Sequence, residues 1–370
     1  MIREFNKSAC MDSQMDNVDI VIVGAGISGV SAAVHLKKMC PQKTFRILEA
    51  RESIGGTWDL FRYPGIRSDS DMHTLGFSFK PWREAKSIAD GPSILKYVKE
   101  TVEEHGLLDF IQFNSRLSKA EWNSDSARWT IEIDSPAGAL KTATCNFLMM
   151  CGGYYDYDNP HDPGFKNTNS FGGCIIHPQF WPNDFEHKGK KIVVIGSGAT
   201  AMTLGPAMAD SGAKVTMVQR SPTYVASRPD EDKVANFLRK ILPDRIAYSI
   251  TRFKNTRYQE YLYKQSRKAP KVLKKILLDS VRKHLGVEMT QKHFTPSYNP
   301  WDQRLCLIPN ADLFRAINRG DLEIRTEEIE SFVENGLKLS SGEVLPADAI
   351  VTATGLRIPD GKAASRPSAG

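Results

Sequence analysis

Two glycine-rich segments have the spacing of sites that bind the pyrophosphate of a dinucleotide. In the first, Gly24, Gly26 and Gly29 form a GxGxxG motif between an apolar run at 19–23 and a helix-forming stretch at 30–38. The first glycine allows a tight turn, the second lets the pyrophosphate approach the backbone, and the third lets the helix pack on the strand. Glu49 ends the next apolar run and is placed to accept hydrogen bonds from a ribose diol. A glycine-rich turn alone is the alternative, but strand, helix and acid in register favour a nucleotide site.

The second segment repeats this pattern without the acid. Gly196, Gly198 and Ala201 form GxGxxA after the apolar run 191–195, and a further strand is predicted at 213–218. That strand leads to Arg220 and Ser221, which could bind a 2′-phosphate, whereas a carboxylate would repel it. The pair therefore favours NADP over NAD, with a solvated surface arginine as the alternative.

Both halves of the chain also end alike. The first has an alternating strand at 129–133, a turn at 136–138 and an apolar strand at 147–151 that meets two glycines. The second has a strand at 329–333, an Asn-Gly hairpin turn, a strand at 337–339 and an apolar strand at 349–355. This duplication predicts an α/β fold with two Rossmann-like dinucleotide-binding domains, each with a small β-meander. The unit with the acid is predicted to bind FAD and the unit with the arginine NADPH.

The overall composition is that of a globular protein with sizeable cores. The chain has 370 residues, of which 41% are hydrophobic and 25% charged, which argues against collagen-like, disordered and disulfide-scaffold classes. Its six cysteines include no CxxC pair, so reduced thiols are expected and a metal site is not. No apolar run reaches the ~18 residues of a membrane span, and residues 1–17 lack the apolar core of a signal peptide. These features predict a cytoplasmic protein.

The net charge of +6 comes from one segment. Residues 231–290 hold 15 of the 49 Lys and Arg residues but only 6 of the 43 Asp and Glu residues. Apolar residues recur there at helical spacing, which predicts a basic amphipathic helical insertion. Its cations either lie in water or contact anionic lipid at a membrane surface. Nucleic-acid binding is disfavoured because no recognition module is present.

A further motif lies between the two halves and resembles a known family. Its fixed positions match FxGxxxHxxxWP, the fingerprint of type I Baeyer–Villiger monooxygenases, and the segment 55–69 is also similar to that family. The likeness covers residues 19–356, and 58–61 and 301–306 resemble the branch that activates thioamide prodrugs. The fingerprint residues are Phe171, Gly173, His177, Trp181 and Pro182.

This resemblance implies a monooxygenase that uses FAD, NADPH and dioxygen. Ketones would become esters or lactones, and sulfur compounds would be oxidised at sulfur. Arg304 matches the catalytic arginine, a fixed cation near the flavin, and Asp69 matches the carboxylate that orients it. Gly56, Thr57, Trp58 and Asp69 belong to the segment expected to bind cofactor. His177 and Trp181 would transmit domain motion rather than take part in the chemistry.

The expected domain organisation follows the motifs. We predict a disordered N-terminus at 1–17, the first part of the FAD-binding domain at 18–155, a linker with the fingerprint at 156–190, and the NADP-binding domain at 191–355. The segment 356–370 has turn composition and is interpreted as a truncated tail that leaves the FAD domain incomplete. Two alternatives stay open: a flavin-containing monooxygenase that hydroxylates nitrogen or sulfur, and a non-catalytic nucleotide-binding fragment.

Overall fold

A computed structural model describes residues 17–134 and 140–358 of the chain. The predicted N-terminus before Asn17, the predicted turn at 136–138 and the tail after Ile358 lie outside the described residues. The apolar runs rich in β-branched residues form buried strands, as their composition predicts. The described strands are β1 (Asn17–Val23), β2 (Phe45–Leu48), β3 (Ile111–Gln112), β4 (Arg116–Asn123), β5 (Arg128–Asp134), β6 (Leu140–Met150), β7 (Cys174–Ile176), β8 (Lys191–Ile195), β9 (Lys214–Gln219), β10 (Tyr224–Arg228), β11 (Leu305–Pro309), β12 (Leu322–Thr326), β13 (Ile329–Val333), β14 (Gly336–Leu339), β15 (Val344–Pro346) and β16 (Ala349–Thr352).

The helices follow the two glycine motifs and fill the predicted insertion. The described helices are α1 (Ile27–Met39), α2 (Thr57–Leu60), α3 (Met72–Leu75), α4 (Gly91–Glu104), α5 (Ala199–Asp210), α6 (Lys233–Ile241), α7 (Asp244–Lys268), α8 (Pro270–His293) and α9 (Asp312–Asn318). Three short 3₁₀ helices lie at Leu108–Phe110, Thr168–Ser170 and Pro178–Phe180.

The contacts divide the chain into two units. The first unit contains the described residues of 17–60 and 92–156. Its six strands form one sheet in the order β3-β2-β1-β6-β5-β4, parallel from β3 to β6 and antiparallel from β6 to β4. The long strand β6 therefore joins the predicted meander to the parallel sheet. A cluster that includes Val21, Leu48, Ile131 and Ile133 forms the core between these parts.

The second unit contains Phe61–Gly91 and Tyr157–Arg357. Its main sheet has five parallel strands in the order β12-β9-β8-β16-β7. The predicted second meander is a separate antiparallel sheet, β13-β14-β15, which packs on the main sheet through Phe332 and Leu337. Strands β10 and β11 form a parallel pair, and α6–α8 lie between them in the chain.

The predicted α/β class with two Rossmann-like units, meanders and a helical insertion is confirmed. Two boundaries differ from those expected. Residues 61–91, expected within 18–155, belong to the second unit, and part of the expected linker 156–190 is β7, the edge strand beside β16. The last predicted strand, 349–355, ends at Thr352.

Candidate functional site: two dinucleotide cradles

The first glycine motif forms the turn between β1 and α1. Gly24 has a φ of +103°, and a Cβ there would stand 2.6 Å from the carbonyl oxygen of Cys151 at the end of β6. A Cβ on Gly29 would overlap the carbonyl oxygen of Gly24. Both positions therefore require glycine, one for its backbone conformation and one for close packing of helix on strand.

The N-terminus of α1 is open. Helix α1 begins after Gly26, which provides no side-chain cap, and no acidic residue lies in the first turn. Its first amides are therefore available to an anion. The nearest atom to a Cβ on Gly26 would be the Cα of Gly56, at 3.7 Å, so another glycine backbone borders this space. Thr57 and Trp58, both half-buried, follow in α2.

Glu49 lies at the end of β2 and is buried. Its Oε2 accepts a hydrogen bond of 2.7 Å from the amide of Ala25, and its Oε1 accepts one of 3.0 Å from the amide of Arg51. The carboxylate therefore fixes the glycine loop itself. Each oxygen keeps a lone pair with which it can accept a further hydroxyl.

A partly buried ion pair, which the sequence did not suggest, supports the first cradle. By the first cradle we mean the space bordered by the start of α1, Gly56 and Glu49, and by the second cradle the space at the start of α5. Arg51 lies 2.7 Å from the carboxylate of Asp59, which is buried and also accepts from Ser53. Arg51 further donates to the carbonyl oxygen of Gly56 at 3.3 Å. These bonds attach α2 and its glycines to the end of β2. The only sequence signal was that two charged residues flank the Gly-Gly pair.

The second glycine motif repeats the construction of the first. Gly196 has a φ of +139°, and a Cβ there would overlap the carbonyl oxygen of Ala353, just after β16. Helix α5 begins after Gly198 with no side-chain cap and no acidic residue in its first turn. Ala201 is fully buried in that helix, where the family motif allows a small residue. The second unit therefore also presents free amides to an anion.

Arg304 lies across the second cradle. A Cβ on Gly198 would stand 2.5 Å from its Nη1, so the exposed guanidinium lies over the start of α5. Among the described residues, no ion pair joins Arg304 to Asp69. Both charges nevertheless act on the Cys306 thiol, whose pKa is raised to about 12, first by burial and next by Asp69, while Arg304 opposes the rise. A thiol with that pKa stays protonated, which fits a packing role for Cys306.

Asp69 has an elevated pKa. The protein atoms around the carboxyl group raise it by desolvation, and the positive charge of Arg67 partly offsets the rise. The cation that acts on Asp69 is therefore Arg67, two positions earlier in the same loop.

Arg220 and Ser221 are exposed directly after β9. The carbonyl oxygen of Ser221 accepts a 3.2 Å hydrogen bond from the hydroxyl of Ser197 in the glycine motif. Arg220 forms no ion pair within 17–134 and 140–358, so its guanidinium is free to bind an anion. In the same described ranges, no group of three His, Cys, Asp or Glu side chains could hold a metal ion.

The loop between α2 and α3 packs on α5 through Tyr63 and Gly65, to which the sequence analysis assigned no individual role. Tyr63 is hydrogen-bonded to Thr200, and burial raises the pKa of its hydroxyl to about 12. A Cβ on Gly65, which has a φ of +77°, would stand 2.6 Å from the Cβ of Ala207. The signal that was available is the Tyr-Pro-Gly sequence, a turn that brings the chain close to another backbone.

Arg67, in the same loop, forms a largely buried ion pair with α9 of the second unit. Its Nη1 lies 2.6 Å from Oδ2 of Asp312 at the start of α9, and each side chain is only 12% exposed. Its Nε and Nη2 are buried without a hydrogen-bond partner. The guanidinium is thus fixed by the bond to Asp312, and two of its nitrogens stay buried without a hydrogen-bond partner among the described residues.

The fingerprint residues flank β7: Phe171 and Gly173 precede the strand, and the other three follow it. Phe171 is buried against Phe332, and a Cβ on Gly173 would stand 2.5 Å from the carbonyl oxygen of Asp348. His177 accepts a hydrogen bond from the amide of Gln179 at 3.2 Å, and desolvation is the main cause of its lowered pKa. Half-buried Trp181 packs edge-on against Phe185, with ring centroids 5.7 Å apart, and Pro182 is exposed. These contacts are structural, and none of them reaches a glycine motif.

Comparisons with known proteins identify relatives of this chain. A family model described as flavin-binding monooxygenase-like matches residues 17–358. The FAD-containing monooxygenase EthA of Mycobacterium tuberculosis is 54% identical over 346 residues, 93% of this chain and 70% of the relative. EthA of Mycolicibacterium smegmatis is 52% identical over 346 residues, with the same two coverages.

Solved structures share the fold. A steroid monooxygenase bound to NADP has a TM-score of 0.76 and 24% identity, with 92% of this chain and 71% of that chain covered. A cyclohexanone monooxygenase with bound epsilon-caprolactone has a TM-score of 0.76 and 20% identity, with coverages of 94% and 75%.

Proposed function

This chain belongs to the flavin-binding monooxygenase-like family, and from this premise we propose that it is an FAD- and NADPH-dependent monooxygenase of ketones or sulfur compounds. Its membership confirms the predicted enzyme class, a flavin-dependent oxidoreductase. The observation that carries the proposal is the presence of two uncapped helix N-termini behind glycine turns, of which only the first is followed by a buried acid. Two such cradles suit one flavin dinucleotide and one nicotinamide dinucleotide.

The first unit suits FAD. The amides of α1 beside Gly26 would hold the pyrophosphate, Glu49 would accept from the ribose, and Gly56 would border the dinucleotide. Thr57 and Trp58 follow in the segment expected to bind cofactor. When bound, the two cofactors would supply the chemistry of the reaction: reducing electrons, which come from NADPH, and the capacity to transfer one oxygen atom from dioxygen to the substrate.

The second unit suits NADPH. The amides of α5 would hold the pyrophosphate, and Arg220 with Ser221 would bind the 2′-phosphate at the end of β9. Arg304 would supply a fixed positive charge on the side of the cradle where it covers Gly198. That charge stabilises negative charge that develops near it, and it needs no rearrangement if Asp69 and the second cradle keep it in place.

The substrate is proposed to carry a carbonyl group or a soft sulfur atom. The fingerprint from Phe171 to Pro182 supports a ketone, and the similarity of residues 301–306 to the thioamide-activating branch supports sulfur. Dioxygen is the second substrate. We place the enzyme in the cytoplasm, with peripheral contact to a membrane through residues 231–290. Among the residues that the structure describes, no helix is both long and apolar enough to span a membrane.

The test is a parallel assay with FAD, NADPH and three substrates: a cyclic ketone, a thioether and a tertiary amine. We expect the purified protein to acquire a flavin spectrum and to form lactone or sulfoxide with consumption of NADPH. Oxidation of the amine without lactone would instead identify a nitrogen-hydroxylating enzyme, and a protein that added FAD cannot colour would be a non-catalytic fragment.

Two variants assign the roles. Arg304→Ala should lose product formation while the flavin spectrum persists, because the first unit holds FAD. Arg220→Ala should raise the KM for NADPH by about 10- to 100-fold, the value of a lost charged hydrogen bond of about 1.5–3 kcal/mol. The KM for NADH serves as the internal control and should not rise. An equal rise for both nucleotides would contradict the assignment of Arg220.

A further inference from the structure

Helices α6 and α7 expose large apolar side chains that a globular protein normally buries. Six of them have exposed fractions between 45% and 69%. Folded chains rarely expose so many large apolar side chains in one hairpin unless the surface binds something. We call this surface the apolar corner, and its residues are Val234, Phe237, Ile241, Ile246, Ile250 and Phe253.

The apolar corner follows one face of each helix. Its residues in α6 lie at positions i, i+3 and i+7, and those in α7 at i, i+4 and i+7, so each set forms a stripe. The two helices are antiparallel neighbours joined by a two-residue connection, and Lys254 of α7 pairs with Asp232 at the N-cap of α6 at 2.8 Å. Along the helix axes, the α6 stripe therefore lies beside the α7 stripe.

The opposite face of α7 is anchored to the second unit. Ala247, Tyr248 and Thr251 are buried, and the Tyr248 hydroxyl donates to the carbonyl oxygen of Phe77 at 3.0 Å. Arg252 donates to the carbonyl oxygens of residues 73 and 76, both at 2.9 Å. The apolar corner therefore belongs to a helix whose opposite face is held in the second unit by burial and by these hydrogen bonds.

Unpaired cations surround the apolar corner. Lys233, Lys240 and Arg245 are exposed, and none of them has an ion pair among residues 17–134 and 140–358. Of the acids nearest in the chain, Asp232 pairs with Lys254 and Asp244 pairs with Arg83 at 2.9 Å, and exposed Glu231 sets one negative charge against the three cations. The charge left over at the edge of the apolar surface is therefore positive.

We infer that the apolar corner docks on an anionic phospholipid surface. Apolar side chains of an interfacial helix enter the boundary between headgroups and acyl chains, while lysine and arginine contact the phosphates. A second copy of the chain fits less well, because a two-fold contact would bring Lys233, Lys240 and Arg245 against the same cations of its partner. The inference locates the proposed membrane contact of residues 231–290 and does not depend on the catalytic proposal.

The test is cosedimentation of the full chain with lipid vesicles. One set is pure phosphatidylcholine, and the other contains about one part phosphatidylglycerol to three parts phosphatidylcholine, at low and at high salt. The cation variant is Lys233→Gln/Lys240→Gln/Arg245→Gln. Its matched control, Lys99→Gln/Lys166→Gln/Lys188→Gln, removes the same charge from exposed lysines elsewhere.

A second pair of variants tests the apolar contribution. Phe237→Ser/Phe253→Ser removes two exposed rings, and Leu108→Ser/Val344→Ser removes exposed apolar side chains from other elements. We expect the native chain to bind only the anionic vesicles, less at high salt. The cation variant should bind on the order of 100-fold more weakly, the phenylalanine variant at least about tenfold more weakly, and both controls like the native chain.

Each other outcome overturns the inference. Absence of binding to anionic vesicles would do so, as would equal binding by the corner variants and their controls. A dimer in analytical ultracentrifugation that Phe237→Ser/Phe253→Ser dissociates would assign the apolar corner to self-association instead. Because the readout is lipid binding, a failure here leaves the NADPH and flavin assays unaffected.

Discussion

Two alanine substitutions, only two positions apart in the second glycine motif, should have opposite consequences. Gly196 has a φ of +139°, and its Cβ would overlap the backbone carbonyl of Ala353. Gly198 has a φ of −83° and a ψ of −179°, which any residue adopts, and the atoms nearest to its Cβ would belong to the side chain of Arg304, with Nη1 at 2.5 Å. A backbone carbonyl directly after a buried sheet strand cannot easily move away, whereas the end of an arginine side chain can.

The structure gives the size of the two effects. Gly196→Ala adds about 1–3 kcal/mol of backbone strain, and the clash with Ala353 adds to it, so a loss of at least about 3 kcal/mol is expected. Gly198→Ala is compatible with the backbone and gains about 0.4–1 kcal/mol by restricting the unfolded chain. For a domain of this size, about 1 kcal/mol corresponds to 2–4 °C in Tm. We therefore expect a fall of about 6–12 °C for Gly196→Ala and a rise of about 1–4 °C for Gly198→Ala.

The affinity of Gly198→Ala for NADPH should fall although its thermal stability does not. In Gly198→Ala the methyl group displaces Arg304 and occupies the approach to the amides of α5, so NADPH binding and turnover should fall in a protein that remains folded. Thermal unfolding followed by circular dichroism gives the Tm. Quenching of NADPH fluorescence on titration with protein gives the affinity, and the FAD spectrum reports whether the first unit is intact.

The reasoning would be refuted by equal destabilisation of the two variants. A stable Gly196→Ala would mean that the turn after β8 can relax away from Ala353. A Gly198→Ala variant that binds NADPH like the native chain would mean that the nucleotide does not approach the backbone at this glycine.

Two further predictions concern buried charge. Arg67→Met should lower the free energy of unfolding, measured in urea, by about 3–5 kcal/mol because it leaves the carboxylate of Asp312 buried and unpaired. The double variant Arg67→Met/Asp312→Leu should recover most of that loss. A double variant no more stable than the single one would contradict this prediction. His293 has a pKa lowered by desolvation and by the charges of Lys292 and Arg325. Since its folded-state pKa lies below the unfolded value of 6.5, the unfolded state binds more protons as the pH falls below 6.5, and stability falls with it. His293→Gln should therefore show a shallower decline of Tm below pH 6.5 than the native chain and the same slope above it; parallel declines would exclude this histidine as a source of the pH dependence.

The parts of the fold that could be predicted are those encoded by neighbouring residues. A buried strand, a glycine turn and a helix follow one another within about thirty residues in each unit, so spacing alone indicates them. The helices of the insertion were likewise visible in their own periodicity. The assignment of FAD to one unit and NADPH to the other rests on the same local signals, Glu49 in one and Arg220 in the other.

The contacts that could not be predicted join residues far apart in the chain. The bond between Arg67 and Asp312 spans 245 positions, and Gly65 packs against Ala207 from a segment that the sequence assigned to the other domain. Nothing near residues 61–91 indicates which sheet they will contact. The same holds for Glu49, whose spacing predicted a ribose ligand but not that its carboxylate also holds the amide of Ala25.

The two cradles have the same backbone arrangement and differ in the chemical group that lies over the second glycine of each motif. In both, the first glycine lies beneath the carbonyl at the end of the last strand of its unit, Cys151 or Ala353. Over Gly26 lies the backbone of Gly56, which is uncharged and held by Arg51. Over Gly198 lies the guanidinium of Arg304, so an anion that approaches the amides of α5 meets this cation first. The second cradle thus carries a positive charge at this position, which the first cradle does not have and which the glycine motif alone does not specify.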